Sequence, residues 1–598
     1  MCGIAGIFTS QTPDQRRTDA VQAMQRALKH RGPDDAGIWG SASTGTVLAH
    51  TRLSIIDLSA AGHQPMSSAD GRFHLTFNGE IYNFRERRSE LEKDGALFRT
   101  QTDTEVLLEL FLRKGESCLH DLRGMFAFAL WDERERRGFL ARDGFGIKPL
   151  YWAERDGSLI FASELRALLA SGLVARKTDG AALAHYFETG SVPEPFSLIE
   201  GVRTLEAGSL IEWCENKSAG RRWWQIRFDP ESAGSPVETV RRVRTALLDA
   251  VEHHFVSDVP VGIFLSGGID STALLALAKE GGRDNIRTFS IGVDNAALDE
   301  SSAARRTADH FQTRHEESRL DAARARELFG SFLVALDQPS IDGFNTYCVS
   351  ALAHEKDIKV VLSGLGGDEL FAGYSSFDRV PRLYRQTRMT GPFRKAVGCT
   401  LERFAPQPAL RRLGGAMRGD CTLRDVYKAF RSVFSRSESQ RLAEHFTGRK
   451  QTGRIDELPT PAEQPTQRDD ISALELSLYM RNQLLKDSDV MSMAHGLELR
   501  VPLVDKCLFQ TLASIPASIR LRQGKKLLLE AVPELPLWVA VAPKRGFLFP
   551  YRQWLDTPDW KQSFDAALRD LPVRSENWYQ RWSVFVFEQW RKQHGISA

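Results

Sequence analysis

The stretch VPVGIFLSGGIDS, residues 259–271, determines the expected fold of the larger part of the chain. An apolar, β-branched run ends at Leu265, a Ser-Gly-Gly turn follows, and a helical pattern begins near Ser271. Two glycines let the backbone approach a phosphate, and the next helix presents free N–H groups and the positive end of its dipole. The stretch therefore predicts a strand, a phosphate-binding loop and a helix. It lacks the GxxxxGK[ST] pattern, which argues against phosphoryl transfer.

Strands and helices alternate after this loop. Strands are predicted at 286–291 and 359–362 and a helix at 300–312, which favours a doubly wound parallel α/β sheet. The sequence LSGLGGDELF at 362–371 also follows a strand and opens a helix. Because such sheets bind ligands at the carboxyl ends of their strands, we expect both loops to face one nucleotide. From about 375 to 530 the pattern is mostly helical.

The sequence begins Met-Cys-Gly-Ile, so Cys2 directly follows the initiator methionine. A small second residue favours removal of the methionine, which would leave the Cys2 thiol beside its own α-amine. A terminal amine titrates at about 7.7–8.0 and can therefore act as the general base for the thiol. On position alone, a cysteine that merely packs in a buried strand over residues 2–8 is an equally good interpretation.

The chain is long enough for at least two domains, since 598 residues exceed the size of a single hydrophobic core. Short predicted strands dominate up to about residue 210, with helices predicted near 19–29, 83–93 and 103–113, which is typical of an α+β unit. Residues 214–236 lose periodicity and gather Gly, Ser, Pro and charge. The predicted domains are therefore 2–213 and 237–598, joined by a linker over 214–236.

Composition argues against several classes of protein. The chain has 79 basic and 77 acidic residues, and this near balance argues against nucleic acid or an anionic membrane as the main partner. Seven widely spaced cysteines without a CxxC pair predict neither a disulfide framework nor a zinc site. No apolar run is long enough to span a bilayer, and no signal peptide is visible. We expect a cytoplasmic protein.

Several motifs accompany Cys2 in the first part of the chain. They are HRGPD at 30–34, RLS at 52–54, NGEIYN at 78–83, TD at 102–103, RD at 142–143 and GIKPLY at 146–151. Together with Cys2 they resemble the class II glutamine amidotransferase domain of the N-terminal-nucleophile family over roughly residues 2–210. The resemblance implies an αββα sandwich in which the Cys2 thiolate attacks the side-chain amide of glutamine and releases ammonia.

The same resemblance implies roles for individual residues. The Asn78 side chain and the Gly79 N–H would stabilise the oxyanion. Free glutamine would be bound by Arg52, Asn78, Glu80 and Asp103, with Arg52 on its α-carboxylate and Asp103 on its α-ammonium. For Arg52 or Asp103 taken alone, a surface ion pair is the plainer interpretation.

The strand, SGGxDS loop and helix resemble the pyrophosphate loop of the ATP pyrophosphatases, which cleave ATP to AMP and pyrophosphate. The resemblance implies an ATP site composed of Leu265, Ser266, Gly267, Gly268, Asp270, Ser271, Ile291, Ser363 and Gly364. Asp270 and Asp368 are candidate ligands of Mg²⁺, and Asp368 and Glu369 are candidate contacts of the acceptor. Glu369 is also consistent with a first-turn acid favoured by the helix dipole.

A glutaminase followed by an ATP pyrophosphatase resembles the asparagine synthetase B family over nearly the whole chain. Segments 491–494, 497–505, 524–529 and 544–547 also fit that family. The resemblance implies that ATP adenylates a carboxylate and that ammonia from Cys2 reaches it through an internal tunnel, giving amide, AMP and pyrophosphate. Lys526 is predicted to stabilise the charge that develops there, with the neighbouring Lys525 as the alternative.

Three positions depart from the family pattern: Leu365 and Gln338 stand where glutamate is usual, and Val490 where arginine is common. The resemblance implies aspartate as the acceptor, as in asparagine biosynthesis. Because an apolar Leu365 cannot accept a proton, a different carboxylate, on a sugar acid or a natural-product precursor, is the alternative. Two alternatives are an enzyme like the β-lactam synthetases and lasso-peptide cyclases, and an inactive regulatory homologue. Intact Cys2, Arg52, Asn78 and Asp103 argue against the first alternative. Intact Cys2 and an intact 266–271 loop argue against the second, which Leu365 leaves open. A homodimer is left open.

Overall fold

The computed structural model describes residues 2–231, 234–450, 461–543, 549–554 and 556–597. Segment 544–547, one of those that fit the family pattern, lies outside the described residues. Five short 3-10 helices supplement the elements given below, at Ala60–Gly62, Gly115–His120, Gly391–Phe393, Pro502–Val504 and Gln523–Lys525.

The first part of the chain is built from antiparallel strands and a few helices. Its strands are β1 (Gly3–Phe8), β2 (Asp35–Gly40), β3 (Val47–Arg52), β4 (Met66–Ser67), β5 (Phe73–Ile81), β6 (Gly124–Asp132), β7 (Arg137–Arg142), β8 (Tyr151–Arg155), β9 (Ser158–Ala162), β10 (Arg203–Thr204), β11 (Ser209–Cys214) and β12 (Lys217–Arg222). Its helices are α1 (Gln15–Ala27), α2 (Phe84–Lys93), α3 (Asp103–Lys114), α4 (Leu165–Ala170) and α5 (Gly180–Thr189).

These strands form two six-stranded sheets with strand orders β10-β8-β9-β1-β3-β2 and β12-β11-β7-β6-β5-β4. Strand β1 lies between β3 and β9 and is buried along its whole length, which accounts for its apolar sequence. The sheets contact each other through β1 and β5, while α1 and α4 pack on the first sheet and α3 on the second. The predicted α+β character of this part is confirmed.

The beginning of the predicted linker belongs to the second sheet. Strands β11 and β12 form an antiparallel hairpin that turns at Glu215 and Asn216, both of which have positive φ. Strand β12 is almost entirely exposed and carries Lys, Ser and Arg side chains. Such a polar edge strand has no apolar alternation, and for this reason the sequence pattern looked like a loop.

The second part contains a parallel sheet and most of the helices. Its strands are β13 (Val261–Phe264), β14 (Arg287–Val293), β15 (Arg314–Leu320), β16 (Val360–Leu362) and β17 (Glu498–Arg500). Its helices are α6 (Pro236–His254), α7 (Ile269–Glu280), α8 (Ser301–His310), α9 (Ala322–Ala335), α10 (Phe344–Glu355), α11 (Gly367–Leu370), α12 (Ser376–Met389), α13 (Arg394–Phe404), α14 (Pro408–Arg418), α15 (Leu423–Arg431), α16 (Arg436–Thr447), α17 (Gln467–Leu474), α18 (Lys486–Met493), α19 (Lys506–Ala513), α20 (Ala517–Arg520), α21 (Lys526–Ala531), α22 (Leu537–Ala540), α23 (Tyr551–Trp554), α24 (Pro558–Ala567) and α25 (Trp578–Gln593).

The sheet has the order β15-β14-β13-β16-β17, and every pair of neighbouring strands is parallel. From the central β13 the chain first adds strands on one side and then on the other. The loops after β13 and β16 therefore lie side by side at the carboxyl edge of the sheet, where ligands of such sheets bind. The predicted parallel sheet and helical carboxyl-terminal part are confirmed.

One long helical segment spans much of the second part. Helix α17 continues through a π-helix at Glu475–Leu485 into α18. We call residues 467–493 the connecting helix. A π-helical stretch of this length is rare, and such distortions are frequent at functional sites. In the described ranges, no helix is both long and apolar enough to cross a membrane.

Candidate active sites

Cys2 is buried directly before β1 and is held by its backbone. Its nitrogen donates to Asn78 Oδ1 at 3.1 Å, and its carbonyl oxygen accepts from Arg31 Nε at 3.0 Å. Burial raises the pKa of the Cys2 thiol, while the nearby Arg52 opposes this shift. A thiol in this environment needs a base to become a nucleophile. Its own nitrogen, once freed as an amine, would be adjacent.

Asn78 and Gly79 lie together on β5, in the second sheet. While Asn78 Oδ1 holds the Cys2 nitrogen, Asn78 Nδ2 is buried and makes no hydrogen bond within the described part of the chain. A Cβ atom on Gly79 would lie 2.2 Å from the carbonyl oxygen of Met125, so only glycine fits there. An amide donor without a partner next to a thiol is available to an oxyanion.

Charged side chains surround this nucleophile. Asp103 opens α3 and accepts from the Ile81 backbone N–H at 2.9 Å, and burial raises its pKa to about 6. Arg52 ends β3 and donates to the Ser59 carbonyl oxygen at 2.8 Å, which fixes the guanidinium orientation. Burial also raises the pKa of Glu80, and the negative charge of the nearby Glu498 raises that pKa further. The structure thus places Asn78, Glu80 and Arg52 around Cys2, and Asp103 beside the same strand, β5.

The second candidate site is a cavity of about 1120 Å³ at the carboxyl edge of the parallel sheet. We call it the large cavity. All predicted ATP-binding residues line it: Leu265, Ser266, Gly267, Gly268, Asp270, Ser271, Ile291, Ser363 and Gly364.

The two glycine loops meet closely at the large cavity. The hydroxyls of Ser266 and Ser271 lie 3.0 Å apart across the first loop. Gly267 has a φ of +72°, a conformation that favours glycine. A Cβ atom on Gly364 would lie 2.8 Å from the Ser271 nitrogen, so a side chain there would separate the loops. The loops thus leave hydroxyl groups and the start of α7 facing the cavity, which suits a phosphate.

Lys525, and not Lys526, reaches the large cavity. Its ammonium nitrogen lies 2.5 Å from Asp270 Oδ2 and 2.6 Å from Asp368 Oδ1. Burial alone would lower the pKa of Lys525, but the two carboxylates raise it above its ordinary value. Lys526 is exposed and does not line the cavity. Of the two lysines considered for the charge-stabilising role, Lys525 is therefore the one with its side chain in the cavity, while the predicted Lys526 points elsewhere.

Asp270 and Asp368 also fit a small divalent cation. Both carboxylates converge on one point, which the Lys525 ammonium now occupies, and carboxylate oxygens are the donors that Mg²⁺ prefers. A Cβ atom on Gly373 would lie 1.8 Å from Asp368 Oδ1, so the chain leaves room for this carboxylate. Across the described ranges, no cluster of three or more His, Cys, Asp or Glu forms a complete metal site. An ion there would take further ligands from phosphate and water, as Mg²⁺ usually does.

Beside Asp368, the large cavity has an aromatic and charged region. Glu369 is buried and accepts from the Tyr374 hydroxyl at 3.0 Å, and burial together with Asp368 raises its pKa to about 8. The Arg431 guanidinium lies over the Tyr374 and Tyr479 rings, 4.6 and 3.9 Å from their centroids. Leu365 lines the same cavity and adds no polar group.

The first part of the chain supplies one wall of the large cavity. Glu188 and Thr189 at the end of α5, and Ser191 and Pro193 after it, line the cavity together with residues of the second part. The large cavity therefore belongs to both parts of the chain.

Sequence reasoning missed the buried charges that pair across the two parts of the chain. Arg31 and Arg500 were seen only inside motifs and received no role, although both are fully buried. Arg500 lies on β17 and pairs with Glu80 of the first part at 3.5 Å. A charged residue flanked by apolar neighbours, as in Leu499-Arg500-Val501, is the signal that would have revealed it.

Comparison with known proteins gives consistent matches along the chain. Residues 1–224 match the family described as glutamine amidotransferase domain, and residues 242–593 match the family described as asparagine synthase. The chain is 32% identical to glutamine-hydrolyzing asparagine synthetase 1 of Bacillus subtilis (strain 168), over 99% of this chain and 96% of that protein.

Two further relatives show the same pattern. A putative glutamine-hydrolyzing asparagine synthetase of Mycobacterium bovis is 36% identical over 93% of this chain and 88% of that protein. Glutamine-hydrolyzing asparagine synthetase B of Escherichia coli (strain K12) is 32% identical over 64% of this chain and 66% of that protein.

Proposed function

Because the chain belongs to the family of glutamine-hydrolysing asparagine synthetases, we propose that it is a glutamine- and ATP-dependent amidotransferase, a carbon–nitrogen ligase. The observation that supports the proposal is that one chain contains two separate candidate half-sites. In the first part, a buried Cys2 lies beside Asn78, whose Nδ2 makes no hydrogen bond to any residue that the structure describes. In the second part, a cavity is lined by both glycine loops. We assign the first part to the αββα fold of the N-terminal-nucleophile glutaminases and the second to the doubly wound ATP pyrophosphatases.

Glutamine hydrolysis would proceed at Cys2. The freed α-amine takes the thiol proton, and the thiolate attacks the side-chain carbonyl carbon of glutamine. Asn78 Nδ2 and the Gly79 N–H donate to the oxyanion. The α-ammonium returns its proton to the leaving nitrogen, so that collapse of the intermediate releases ammonia and leaves a thioester. Water then hydrolyses the thioester to glutamate. Arg52 would bind the α-carboxylate of glutamine and Asp103 its α-ammonium.

Activation of the acceptor would take place in the large cavity. An acceptor carboxylate oxygen attacks the α-phosphorus of ATP, pyrophosphate leaves, and an acyl-adenylate forms. Lys525 would donate to the oxygens that gain negative charge in this step. A Mg²⁺ ion held by Asp270 and Asp368 would neutralise phosphate charge when bound.

Ammonia would then cross from the first part to the second inside the protein. Glu188, Thr189, Ser191 and Pro193 of the first part line the large cavity, so ammonia has only to reach this shared wall. It attacks the acyl carbon of the adenylate, and AMP leaves with the pair of electrons that bound it to that carbon. The products are an amide and AMP.

The acceptor is proposed to be aspartate, the substrate consistent with the names of the relatives. A second candidate is another carboxylic acid, such as a sugar acid or a natural-product precursor. The observation that favours it is Leu365, an apolar side chain that lines the large cavity where the family usually has a glutamate. ATP–pyrophosphate exchange with a panel of carboxylic acids, followed by mass spectrometry of the amide, distinguishes the two.

Cys2→Ala tests the proposed division of labour. It should abolish amide formation from glutamine and leave the reaction with free ammonium within about twofold of wild type, since the two half-sites are separate. Cys399→Ala, which removes an exposed thiol, is the matched control and should change neither reaction. Equal loss of both activities in Cys2→Ala would contradict the proposal.

A further inference from the structure

The backbone carbonyl of Cys2 is held by a side chain that reaches across to the second part of the chain. Arg31 is fully buried and donates through Nε to the Cys2 carbonyl oxygen at 3.0 Å. Its two terminal nitrogens face carboxylates: Nη1 donates a hydrogen bond to Glu164 at 2.7 Å, and Nη2 forms an ion pair with Asp489 at 2.9 Å. Arg31 therefore has one contact with the nucleophile and two carboxylate partners that set its orientation.

Of these two carboxylates, only Asp489 comes from the second part of the chain. It lies in α18, the last segment of the connecting helix, and its side chain is 2% exposed. Its other oxygen pairs with the ammonium of Lys148 at 3.4 Å, which is also buried. Asp489 thus serves two buried cations of the first part. Arg31 and Lys148 are the cations within 4 Å of it among the described residues.

Glu164 cannot replace Asp489 as the partner of Arg31. It already pairs with His30 at 3.1 Å and with Arg166 at 3.0 Å. If the carboxylate at 489 were neutral, the remaining anion would attract the guanidinium from one side only. The Nε–H that binds the Cys2 carbonyl is rigidly fixed to the same planar group, so a rotation of the guanidinium displaces this bond.

The connecting helix, which carries Asp489, also lines the large cavity. Its π-helical segment lines the large cavity with Leu478, Tyr479, Asn482, Gln483 and Leu484. One continuous helix therefore lines the large cavity with its central segment and pairs with the arginine on Cys2 near its carboxyl end.

We propose that Asp489 is a positioning residue for the Cys2 nucleophile and acts through Arg31. The inference rests on the proposed role of Cys2 in glutamine hydrolysis. Asp489 touches neither Arg52 nor Asp103, the residues proposed to bind glutamine. Its loss should therefore lower kcat of glutamine hydrolysis and leave KM and the ammonium-dependent reaction unchanged.

The test compares Asp489→Asn with Asp505→Asn in the full chain. Asp505 also makes a buried ion pair between the two parts, with Arg123 at 2.8 Å, and has no contact with Cys2. Asp489→Asn should lower kcat for glutamate release by about tenfold or more, because small displacements of a nucleophile are costly. KM and the rate with ammonium should stay within about twofold of wild type. In Asp505→Asn, kcat, KM and the rate with ammonium should all stay within about twofold of wild type. An unchanged kcat, or a parallel loss with ammonium, would overturn the inference.

Arg31→Lys provides a second, independent test. Lysine keeps the positive charge but lacks the fork that binds Cys2 and both carboxylates together. Arg31→Lys should show the same selective loss of kcat, and adding Asp489→Asn to it should cost less than about twofold more, because both changes act through one contact. Additive losses would overturn the inference. A wild-type chain that releases no glutamate would instead refute the proposed function itself.

Discussion

Asp103→Asn gives a sharp test of the glutamine site, because it changes the pH dependence in a defined direction. Burial raises the pKa of Asp103 to about 6, compared with about 3.9 for a solvated aspartate. Only the ionised carboxylate attracts the α-ammonium of glutamine. In the wild-type chain, kcat/KM for glutamine should therefore increase as pH rises through about 6, and this step should be missing in the variant.

The size of the effect follows from the contact that is lost. A hydrogen bond between charged groups contributes about 1.5–3 kcal/mol. At pH 8, where Asp103 is ionised, Asp103→Asn should therefore lower kcat/KM by about 10- to 150-fold. At pH 5 the wild-type carboxyl is mostly protonated, so the two proteins should differ much less.

The measurement is glutamate release at low glutamine concentration between pH 5 and 8.5. The α-amine of Cys2 must also be deprotonated, with a pKa of about 7.7–8.0. In wild type, log kcat/KM should therefore fall with a slope of about one between pH 7.5 and 6, and about two below 6. In Asp103→Asn the slope should stay near one, and the control Asp94→Asn, at an exposed position, should behave as wild type. A wild-type slope of one down to pH 5, or a break near pH 6 in the variant, would refute the reasoning.

Three further changes address the large cavity. Asp270→Ala should impair amide formation from glutamine and from ammonium alike, and full activity would remove Asp270 from the cation-binding role. Lys525→Met should lower the rate of ATP–pyrophosphate exchange by about 10²–10³-fold, the usual loss for one preorganised donor. The control Lys526→Met should keep this rate within about twofold of wild type. Equal effects of the two variants would contradict the role proposed for Lys525. Gly373→Ala should lower the ammonium-dependent rate, because its Cβ atom would lie 1.8 Å from Asp368 Oδ1. A normal rate in that variant would show that the carboxylate can move without loss.

The parts of the fold that depend on neighbours in sequence could be predicted. The strand at Val261–Phe264, the glycine loop and helix α7 follow one another directly, so the local pattern contains all three. The same holds for the loop after β16. The lining of the large cavity by both loops then follows from the parallel sheet, since carboxyl ends of parallel strands share one edge.

Other features depend on the tertiary structure and leave little local signal. Lys525 and Lys526 are the same residue type, and Lys525 reaches the cavity because its φ of +56° turns the chain just before α21 begins. Strand β15, with the sequence RHEESRL, is a polar edge strand and gives no apolar pattern. The pair of Arg31 and Asp489 joins two residues that lie far apart in the sequence, one in each part of the chain. The local sequence pattern around either residue therefore cannot predict this ion pair.

The wall that Glu188, Thr189 and Pro193 contribute to the large cavity bears on attempts to express the halves separately. A carboxyl-terminal fragment beginning after the hairpin of β11 and β12 would open this cavity to solvent on that side. The mixed anhydride of acceptor and AMP would then meet bulk water sooner than ammonia. Water would hydrolyse the anhydride back to the starting acid. The expected property of such a fragment is therefore ATP cleavage to AMP and pyrophosphate without amide formation.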